Sequence, residues 1–432
     1  MSRAVIDSEA GNKVASGTSN TWSHTVATGK ANRLLVVAVD AGLSLTSVTY
    51  GGKALSSLGQ IVYNSGETLS FWFLLAPATG TNSVTVTASG TTYIIGSSVS
   101  LYNVAQNNPF GTLASNSGSG TASSNTVATT NANQVVLDFV NNTAASTNSP
   151  TAGQTLLIQP TGSGMAAGDI GATGTNMTLT WSFTSSVWAE LSVPVNPALS
   201  LVQSHATVAS GTVTSLAGTL PSGVTAGNLL VAAVTSGGQG TAITPPSGWS
   251  QAAFNQPNSP ANCETGIWFI VVTAAMAGQT SWTFTQAAAH NFYIELEEWF
   301  SSSGWPTNPL DQSAIGDTAS SPTTSTTIQS GTTGTTAQAG EVWIASLTYD
   351  LGAQTESGLT AGWNRDLEIS DSTPNHTAAM LSNVGSTSVG AAACQFTIAT
   401  AEYWAGAIAT FKAATIAAKL LLIADGYGGV FL

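Results

Sequence analysis

The densest group of ionisable side chains in the sequence is Glu295, Glu297 and Glu298, in the run YIELEEW. On a β-strand, Glu295 and Glu297 share a face, with their Cβ atoms roughly 6.5–7 Å apart. Two carboxyls at that separation are what glycoside hydrolysis requires, and carboxylates are also ligands for Ca²⁺. The favoured interpretation is a solvated or hydrogen-bonded strand face. Calcium coordination is the first alternative and glycosidase chemistry the second, and no other cofactor is predicted.

Three tryptophans, Trp249, Trp305 and Trp363, fall in segments rich in turn residues. An exposed indole can stack on a sugar ring or anchor a protein interface. Plain packing in a core is the favoured interpretation, followed by a subunit interface and then by a contact with a host-surface glycan.

Other catalytic patterns are missing from the sequence. The four histidines are scattered without ligand spacing, and no G-x-S-x-G nucleophile motif occurs. The two cysteines, Cys263 and Cys394, are not in a C-x-x-C pair, so they permit at most one disulfide and are interpreted as buried thiols. We therefore predict no catalytic residues and no enzymatic activity.

Charge is distributed unevenly along the chain, whose net charge is −13. No Lys or Arg lies between Lys53 and Arg365, whereas that stretch holds thirteen Asp and Glu residues. A surface without cations cannot neutralise phosphates, which dominate affinity for nucleic acids. It also lacks the cations that phosphoryl transfer employs. The sequence therefore predicts neither nucleic-acid binding nor kinase-like chemistry.

The elements that carry these residues are predicted to be strands. Apolar and hydroxyl side chains alternate from Val84 to Thr87 and from Trp282 to Thr285, which indicates half-buried strands. The continuous apolar runs at 34–39 and 229–234 are typical of strands covered on both faces. These short strands, separated by many turns, predict an all-β antiparallel sandwich that is jelly-roll-like.

The strand pattern occurs twice, which predicts an internal duplication. ANRLLVVAV at 31–39 recurs as AGNLLVAAV at 226–234, and NPF at 108–110 recurs as NPL at 308–310. A period this long is typical of duplicated domains, not of short solenoid repeats. We predict two tandem sandwich domains, at 1–198 and 199–412, and a separate apolar tail at 413–432.

The tail is unusually apolar for a chain end, which is normally polar and frayed. Its two apolar runs flank an Asp-Gly turn signal, so they could form a hairpin or add strands to a neighbour. Docking on another subunit is favoured over packing on its own domain. The predicted docking residues are Leu420, Leu421, Leu422, Ile423, Tyr427, Val430, Phe431 and Leu432.

The order AGNLLVAAV, TPPSGW (Thr244 to Trp249), a central Trp strand and an N-P-[LF] turn resembles a module of bacterial surface proteins. Similar modules occur in phage virion proteins, including decoration and fibre proteins. The first copy resembles them through VTYGGKAL at 48–55. The resemblance implies a non-catalytic β-sandwich for display, adhesion or assembly, and it transfers no catalytic residues.

The favoured functional prediction is a phage virion structural protein, as a capsid decoration, head-fibre or tail-fibre component. It would be a homo-oligomer on the virion surface that contacts other virion proteins through apolar and strand-pairing contacts. The alternative is an extracellular bacterial adhesin or carbohydrate-binding surface protein. The amino terminus lacks the layout of a secretory signal, and no apolar run reaches the 18 residues typical of a membrane span.

Overall fold

Four fully buried strands, β2, β10, β18 and β26, lie at the centres of four antiparallel sheets. All eight residues of each strand are buried, as the continuous apolar runs predict. The chain is represented by a computed structural model that describes residues 3–414, apart from 107, 131, 151–152, 210, 239, 258–262, 317–323, 351, 373–374 and 385–389.

One strand order occurs in four successive segments, which we call units 1 to 4. Each unit has a larger sheet centred on the fully buried strand, and units 2 to 4 also have a separate smaller sheet. In unit 3 the larger sheet is ordered β16-β23-β18-β21-β20 and the smaller β17-β22-β19, and unit 4 repeats both orders as β24-β31-β26-β29-β28 and β25-β30-β27.

The strands of units 1 and 2 have the following bounds. Unit 1 contains β1 (Val5–Val26), β2 (Leu34–Ala41), β3 (Leu45–Tyr50), β4 (Lys53–Ala54), β5 (Ser56–Tyr63), β6 (Glu67–Leu75) and β7 (Gly80–Tyr102). Unit 2 contains β8 (Ala114–Ala122), β9 (Asn125–Ala128), β10 (Val135–Asn142), β11 (Ser149–Pro150), β12 (Thr155–Ile158), β13 (Met165–Gly171), β14 (Asn176–Leu179) and β15 (Trp181–Val195).

Units 3 and 4 follow with eight strands each. Unit 3 contains β16 (Leu199–Val208), β17 (Val213–Thr219), β18 (Leu229–Ser236), β19 (Ile243–Thr244), β20 (Ser250–Asn255), β21 (Glu264–Val271), β22 (Ser281–His290) and β23 (Phe292–Ser301). Unit 4 contains β24 (Leu310–Gly316), β25 (Ser325–Thr335), β26 (Val342–Tyr349), β27 (Glu356–Ser357), β28 (Asn364–Ser372), β29 (Asn375–Val384), β30 (Ala391–Glu402) and β31 (Trp404–Phe411).

Unit 1 follows the same strand order, but its two long strands, β1 and β7, take the place of four shorter strands in the other units. The first half of β1 pairs with the end of β7 beside β2, and its second half pairs with the start of β7 beside β3. The register shifts between these halves, around Gly17. A β-bulge of this kind bends a strand, so one strand pair takes the place of the two separate pairs in the other units.

The units pack in pairs through their larger sheets. One hydrophobic core joins units 1 and 2, and in it Phe71 and Phe139 meet edge to face with ring centroids 4.7 Å apart. A second core joins units 3 and 4, where Phe269 and Phe411 meet at 5.2 Å. We call these the amino-terminal and carboxy-terminal pairs. Each unit also has its own internal core.

The prediction of an all-β, antiparallel structure is confirmed. The described residues contain no α-helix, and the one helical element is the 3₁₀ turn Asn64–Gly66. The predicted alternation also holds, since Val84, Val86 and Phe284 are fully buried. The sequence analysis predicted one duplication, whereas the strand order shows a repeat at the finer level of four units.

Candidate functional sites at buried carboxyls and a cavity

The glutamate cluster predicted from the sequence lies on β23, inside the carboxy-terminal pair. Glu295 and Glu297 share a face, as predicted, and that face packs against unit 4 instead of solvent, with side chains 1% and 0% exposed. Of the two forms of the favoured interpretation, a solvated or a hydrogen-bonded face, burial excludes the solvated one, because the larger sheets of two units close over it. Glu298 is also buried and accepts hydrogen bonds from the Asn228 side chain and the Thr225 amide, both at 2.7 Å.

A carboxyl of unit 4, Asp366 on β28, lies beside Glu297. Burial raises the pKa of both groups, and the charge of Asp366 raises that of Glu297 further. One proton shared between the two carboxyls explains how they can lie together without a cation. Trp299 Nε1 donates to Glu297 Oε2 at 2.9 Å. Burial also raises the pKa of Glu295 to about 8, so Glu295 is mostly protonated at neutral pH and the Glu297–Asp366 pair carries the remaining charge of this contact.

This environment does not favour calcium or glycosidase chemistry at Glu295 and Glu297. Ca²⁺ binds ionised carboxylates and other oxygen ligands, whereas these carboxyls are protonated and enclosed. Within the described ranges, no group of three or more His, Cys, Asp or Glu side chains could hold a metal ion.

The three candidate tryptophans are packed in cores. Trp249 is 8% exposed and meets Phe284 edge to face at 5.4 Å inside unit 3. Trp305 is 9% exposed in the core between units 3 and 4, and its Nε1 donates to the Trp299 carbonyl at 3.1 Å. Trp363 is 6% exposed in the internal core of unit 4. Sugar stacking needs an open ring face, which none of these positions provides.

The remaining sequence candidates lie apart from one another. Both cysteines are buried and neither forms a disulfide. His24 is enclosed within unit 1, where its Nδ1 lies 2.8 Å from Ser98 Oγ, and burial lowers its pKa to about 4. The predicted docking residues from Leu420 to Leu432 lie outside the described residues.

Unit 2 encloses a pair of carboxyls that the sequence analysis did not single out. Asp138 on β10 and Glu190 on β15 are both 0% exposed. Asp138 accepts hydrogen bonds from Ser192 Oγ (2.7 Å), Gln154 Nε2 (2.8 Å) and Trp181 Nε1 (2.7 Å). Burial and the charge of Asp138 raise the pKa of Glu190 to about 10, so Glu190 is the protonated partner. The pair is fully enclosed in the interior of unit 2, so no substrate can reach it.

A second buried aspartate, Asp40 on β2, lies between units 1 and 2. Tyr63 donates its hydroxyl to Asp40 Oδ1 at 3.0 Å, and Asn141 Nδ2 donates to Asp40 Oδ2 at 2.9 Å. Asn141 Nδ2 also donates to the Tyr63 hydroxyl at 2.7 Å. Burial raises the pKa of Asp40 to about 7, and the charge of Glu67 adds to this effect. The three side chains form a polar bridge between the two units.

This bridge borders a cavity of about 330 Å³ that opens between units 1 and 2. Small-molecule sites span roughly 300–1,000 Å³, so the cavity is at the small end of that range. Its walls combine carboxyl, amide, hydroxyl and amine groups with a few apolar side chains. The lining residues are Lys13, Ala15, Asp40, Glu67, Tyr93, Ile95, Asn141, Asn142, Thr143, Ala145 and Gly164.

The local sequence brings the loops of unit 2 close to this cavity. A Cβ on Gly164 would meet the Asn142 carbonyl oxygen at 1.8 Å, so only glycine permits this approach. Ala145 has a φ of 51°, a conformation that L-residues other than glycine rarely adopt. Strained backbone of this kind clusters at ligand sites.

One signal in the sequence could have identified Asp40 and Asp138. Each is a single carboxyl inside a run of residues that is otherwise apolar, LLVVAVDA at 34–41 and VVLDFV at 135–140. A carboxyl in a strand that is buried on both faces must be hydrogen-bonded or neutral. The partners Tyr63, Asn141 and Glu190 are distant in sequence, so the signal marks the aspartates without predicting the bridge.

Comparison with known proteins finds no matching family model, no similar curated protein and no similar solved structure. Over the part of the chain that the structure describes, no helix has the length and apolar character needed to cross a membrane.

Proposed function

We propose that this chain is a non-enzymatic structural component of a phage particle, as a capsid decoration, head-fibre or tail-fibre protein. We further propose that each unit is a jelly-roll-like sandwich and that the two pairs are the domains 1–198 and 199–412. The two sheets of unit 3, β16-β23-β18-β21-β20 and β17-β22-β19, support this. A jelly roll likewise packs two antiparallel sheets against each other. The observation that carries the proposal is the tandem array of four units whose larger sheets share one core within each pair.

The joint between the two pairs supports a role as a stiff spacer. Asn103 donates its Nδ2 to the Leu199 carbonyl and accepts the Leu199 amide at its Oδ1, both at 3.3 Å. Val104 and Pro197 form an antiparallel bridge beside these contacts. Proline restricts the backbone of the joint. A chain connected in this way would hold its two pairs at a defined spacing, as a decoration or fibre component requires.

The surface chemistry supports assembly by apolar contacts and strand pairing. Threonine hydroxyls form cross-strand hydrogen bonds on exposed faces, such as Thr25 with Thr81 at 2.8 Å and Thr126 with Thr178 at 3.0 Å. The edge strand β5 exposes 58% of Val62. Unpaired strand edges are templates for pairing with another chain. With few ion pairs available, such assembly should tolerate molar salt.

The test is to determine where the full-length chain is found and how it associates. We expect native mass measurement to give a defined oligomer that persists in molar NaCl, and labelled antibody to decorate purified particles in electron micrographs. A monomer at all concentrations, or an oligomer that dissociates in molar salt, would contradict the proposal. Labelling confined to the bacterial cell surface would also contradict it and would favour the adhesin.

A further inference from the structure

The cavity between units 1 and 2 is bordered by hydrogen-bond acceptors from both units. Glu67 and Asp40 come from unit 1 and Asn141 comes from unit 2. Asn141 is only 3% exposed, and its side-chain Oδ1 has no hydrogen-bond partner among the described residues. A buried acceptor without a partner has a free-energy cost, because it has lost its hydrogen bonds to water. A ligand that donates a hydrogen bond at this point would remove that cost.

The charges around the cavity argue against an ionic ligand. The Glu67 carboxyl would repel an anion, while Asp40 is partly protonated near neutral pH because burial raises its pKa to about 7. Lys13, which donates its Nζ to the Gly162 carbonyl, also lines the cavity and would repel a cation. A neutral molecule that both donates and accepts hydrogen bonds fits this set of groups best.

The apolar parts of the wall restrict the shape of that molecule. Ile95, Ala15 and the ring of Tyr93 supply carbon surface beside the polar atoms. Burial raises the pKa of Tyr93, and the charges of the neighbouring Asp40 and Glu67 carboxyls raise it further. A sugar ring has C–H faces that pack on such surface and hydroxyls around its edge that reach carboxyl, amide and phenol groups.

We propose that the cavity between units 1 and 2 binds one neutral sugar ring, whose hydroxyls donate to Asn141 Oδ1 and to the Glu67 carboxyl. The cavity of about 330 Å³ suits a single ring and not a longer oligosaccharide within its walls. Further rings of a glycan would extend outwards into solvent. This inference rests on the cavity alone and is independent of whether the chain belongs to a particle or to a cell surface.

The experiment measures binding of glucose, galactose, mannose and N-acetylglucosamine to the full-length chain by saturation-transfer NMR and calorimetry. Glucuronic acid and spermidine serve as anionic and cationic probes. We expect saturable binding of at least one neutral sugar and at least tenfold weaker binding of both charged probes. No saturable binding of any neutral sugar would overturn the proposal, and so would preferential binding of either charged probe.

Two variants locate the site. Ala15→Trp places a large side chain at the exposed rim of the cavity, and its matched control Ala217→Trp alters an exposed strand position in unit 3. We expect at least a tenfold loss of affinity in Ala15→Trp and none in the control. Undiminished binding by Ala15→Trp would overturn the proposed location.

Asn141→Thr tests the amide itself, because it removes the Oδ1 acceptor, together with the Nδ2 hydrogen bonds to Asp40 and Tyr63, and leaves the rim intact. We expect weaker sugar binding, and we expect thermal unfolding of the variant to remain a cooperative transition. If Asn141→Thr does not fold, Glu67→Gln provides the second test, with an expected loss of affinity of several-fold. Unchanged affinity in whichever of these variants folds would contradict the proposed contacts.

Discussion

The two pairs of units use one position in the fold differently. In the amino-terminal pair, the seventh residue of the central strand β2 is Asp40, and the seventh residue of β10 is Asn141. The corresponding residues of β18 and β26 in the carboxy-terminal pair are Thr235 and Thr348. The same point of contact between paired sheets therefore holds a carboxyl and an amide in one case and two hydroxyls in the other.

The consequence is a closed contact in the carboxy-terminal pair and an open one in the amino-terminal pair. Thr235 Oγ1 lies 3.0 Å from Thr265 Oγ1, which lies 2.5 Å from Ser346 Oγ of unit 4. Thr348 donates to the Thr377 carbonyl at 2.8 Å. Short hydroxyl side chains satisfy one another within the interface, whereas the larger Asp40–Tyr63–Asn141 bridge borders a cavity. The comparison shows that a cavity can arise from a few side chains on a similar strand order.

The largest effect is expected from the aromatic contacts that hold each pair together. Phe139→Ala and Phe411→Ala should each destabilise the chain by about 3–5 kcal/mol, because each removes a buried ring from a shared core. If the pairs unfold separately, scanning calorimetry will show Phe139→Ala lowering one transition and Phe411→Ala lowering the other. Equal effects of both variants on a single transition would instead show that the two pairs unfold as one.

The pH dependence of stability should have the same sign in both pairs. Burial raises the pKa of Asp40 to about 7 in the first pair and that of Glu295 to about 8 in the second. The folded state then holds protons that the unfolded state loses near pH 4, so raising the pH destabilises the protein until these groups ionise. The slope should be at most about 1.4 kcal/mol per pH unit for each such group.

Chemical denaturation between pH 5 and pH 9 measures this dependence, and it separates the two pairs when variants are compared. Asp40→Asn should flatten the profile below pH 7, and Glu295→Gln should flatten it up to about pH 8. His24 acts in the opposite direction, since burial lowers its pKa to about 4 and stability falls as the pH drops below about 6.5. Stability that increases steadily from pH 5 to pH 9 would refute the protonated state assigned to these carboxyls.

A smaller effect is expected where the polar bridges are cut. Tyr63→Phe removes the hydroxyl that donates to Asp40 and accepts from Asn141, so it should cost about 1–3 kcal/mol. The matched change in the other pair, Thr265→Val, should cost about 0.5–1.5 kcal/mol because only neutral hydroxyls lose a partner. Denaturation midpoints at pH 7 give both values. A smaller cost for Tyr63→Phe than for Thr265→Val would reverse the comparison.

The smallest effect is expected at the hydroxyl pairs on exposed faces. Thr25→Ala removes the hydrogen bond to Thr81 at a position open to solvent, and cross-strand pairs of this kind contribute roughly 0.2–1 kcal/mol. Thr126→Ala in unit 2 should behave alike, as its partner Thr178 is equally exposed. A decrease of several kcal/mol in the free energy of unfolding of either variant would show that these hydroxyls belong to a buried contact and not to a solvated surface.

The strands were predictable to different degrees from the residues themselves. The runs at 34–39 and 229–234 predicted strands that are buried on both faces, because six successive apolar residues leave no polar face for solvent. The equivalent strands β10 and β26 contain Asp138, Ser346 and Thr348, so they are less apolar and the repeat of four units was harder to recognise. Glu295 and Glu297 were placed on one face of β23 correctly, but their burial depended on a unit that lies downstream in the chain.

The amino-acid sequence by itself determined that the described chain is antiparallel β-structure, since period-two alternation and frequent turn residues allow few other solutions. It also excluded a surface rich in cations. Only the tertiary structure decided that units pack in pairs, that Glu297 meets Asp366, and that Asp40, Tyr63 and Asn141 meet beside a cavity. These contacts join residues 23 to 101 positions apart, and local periodicity carries no information about which sheet face will cover another.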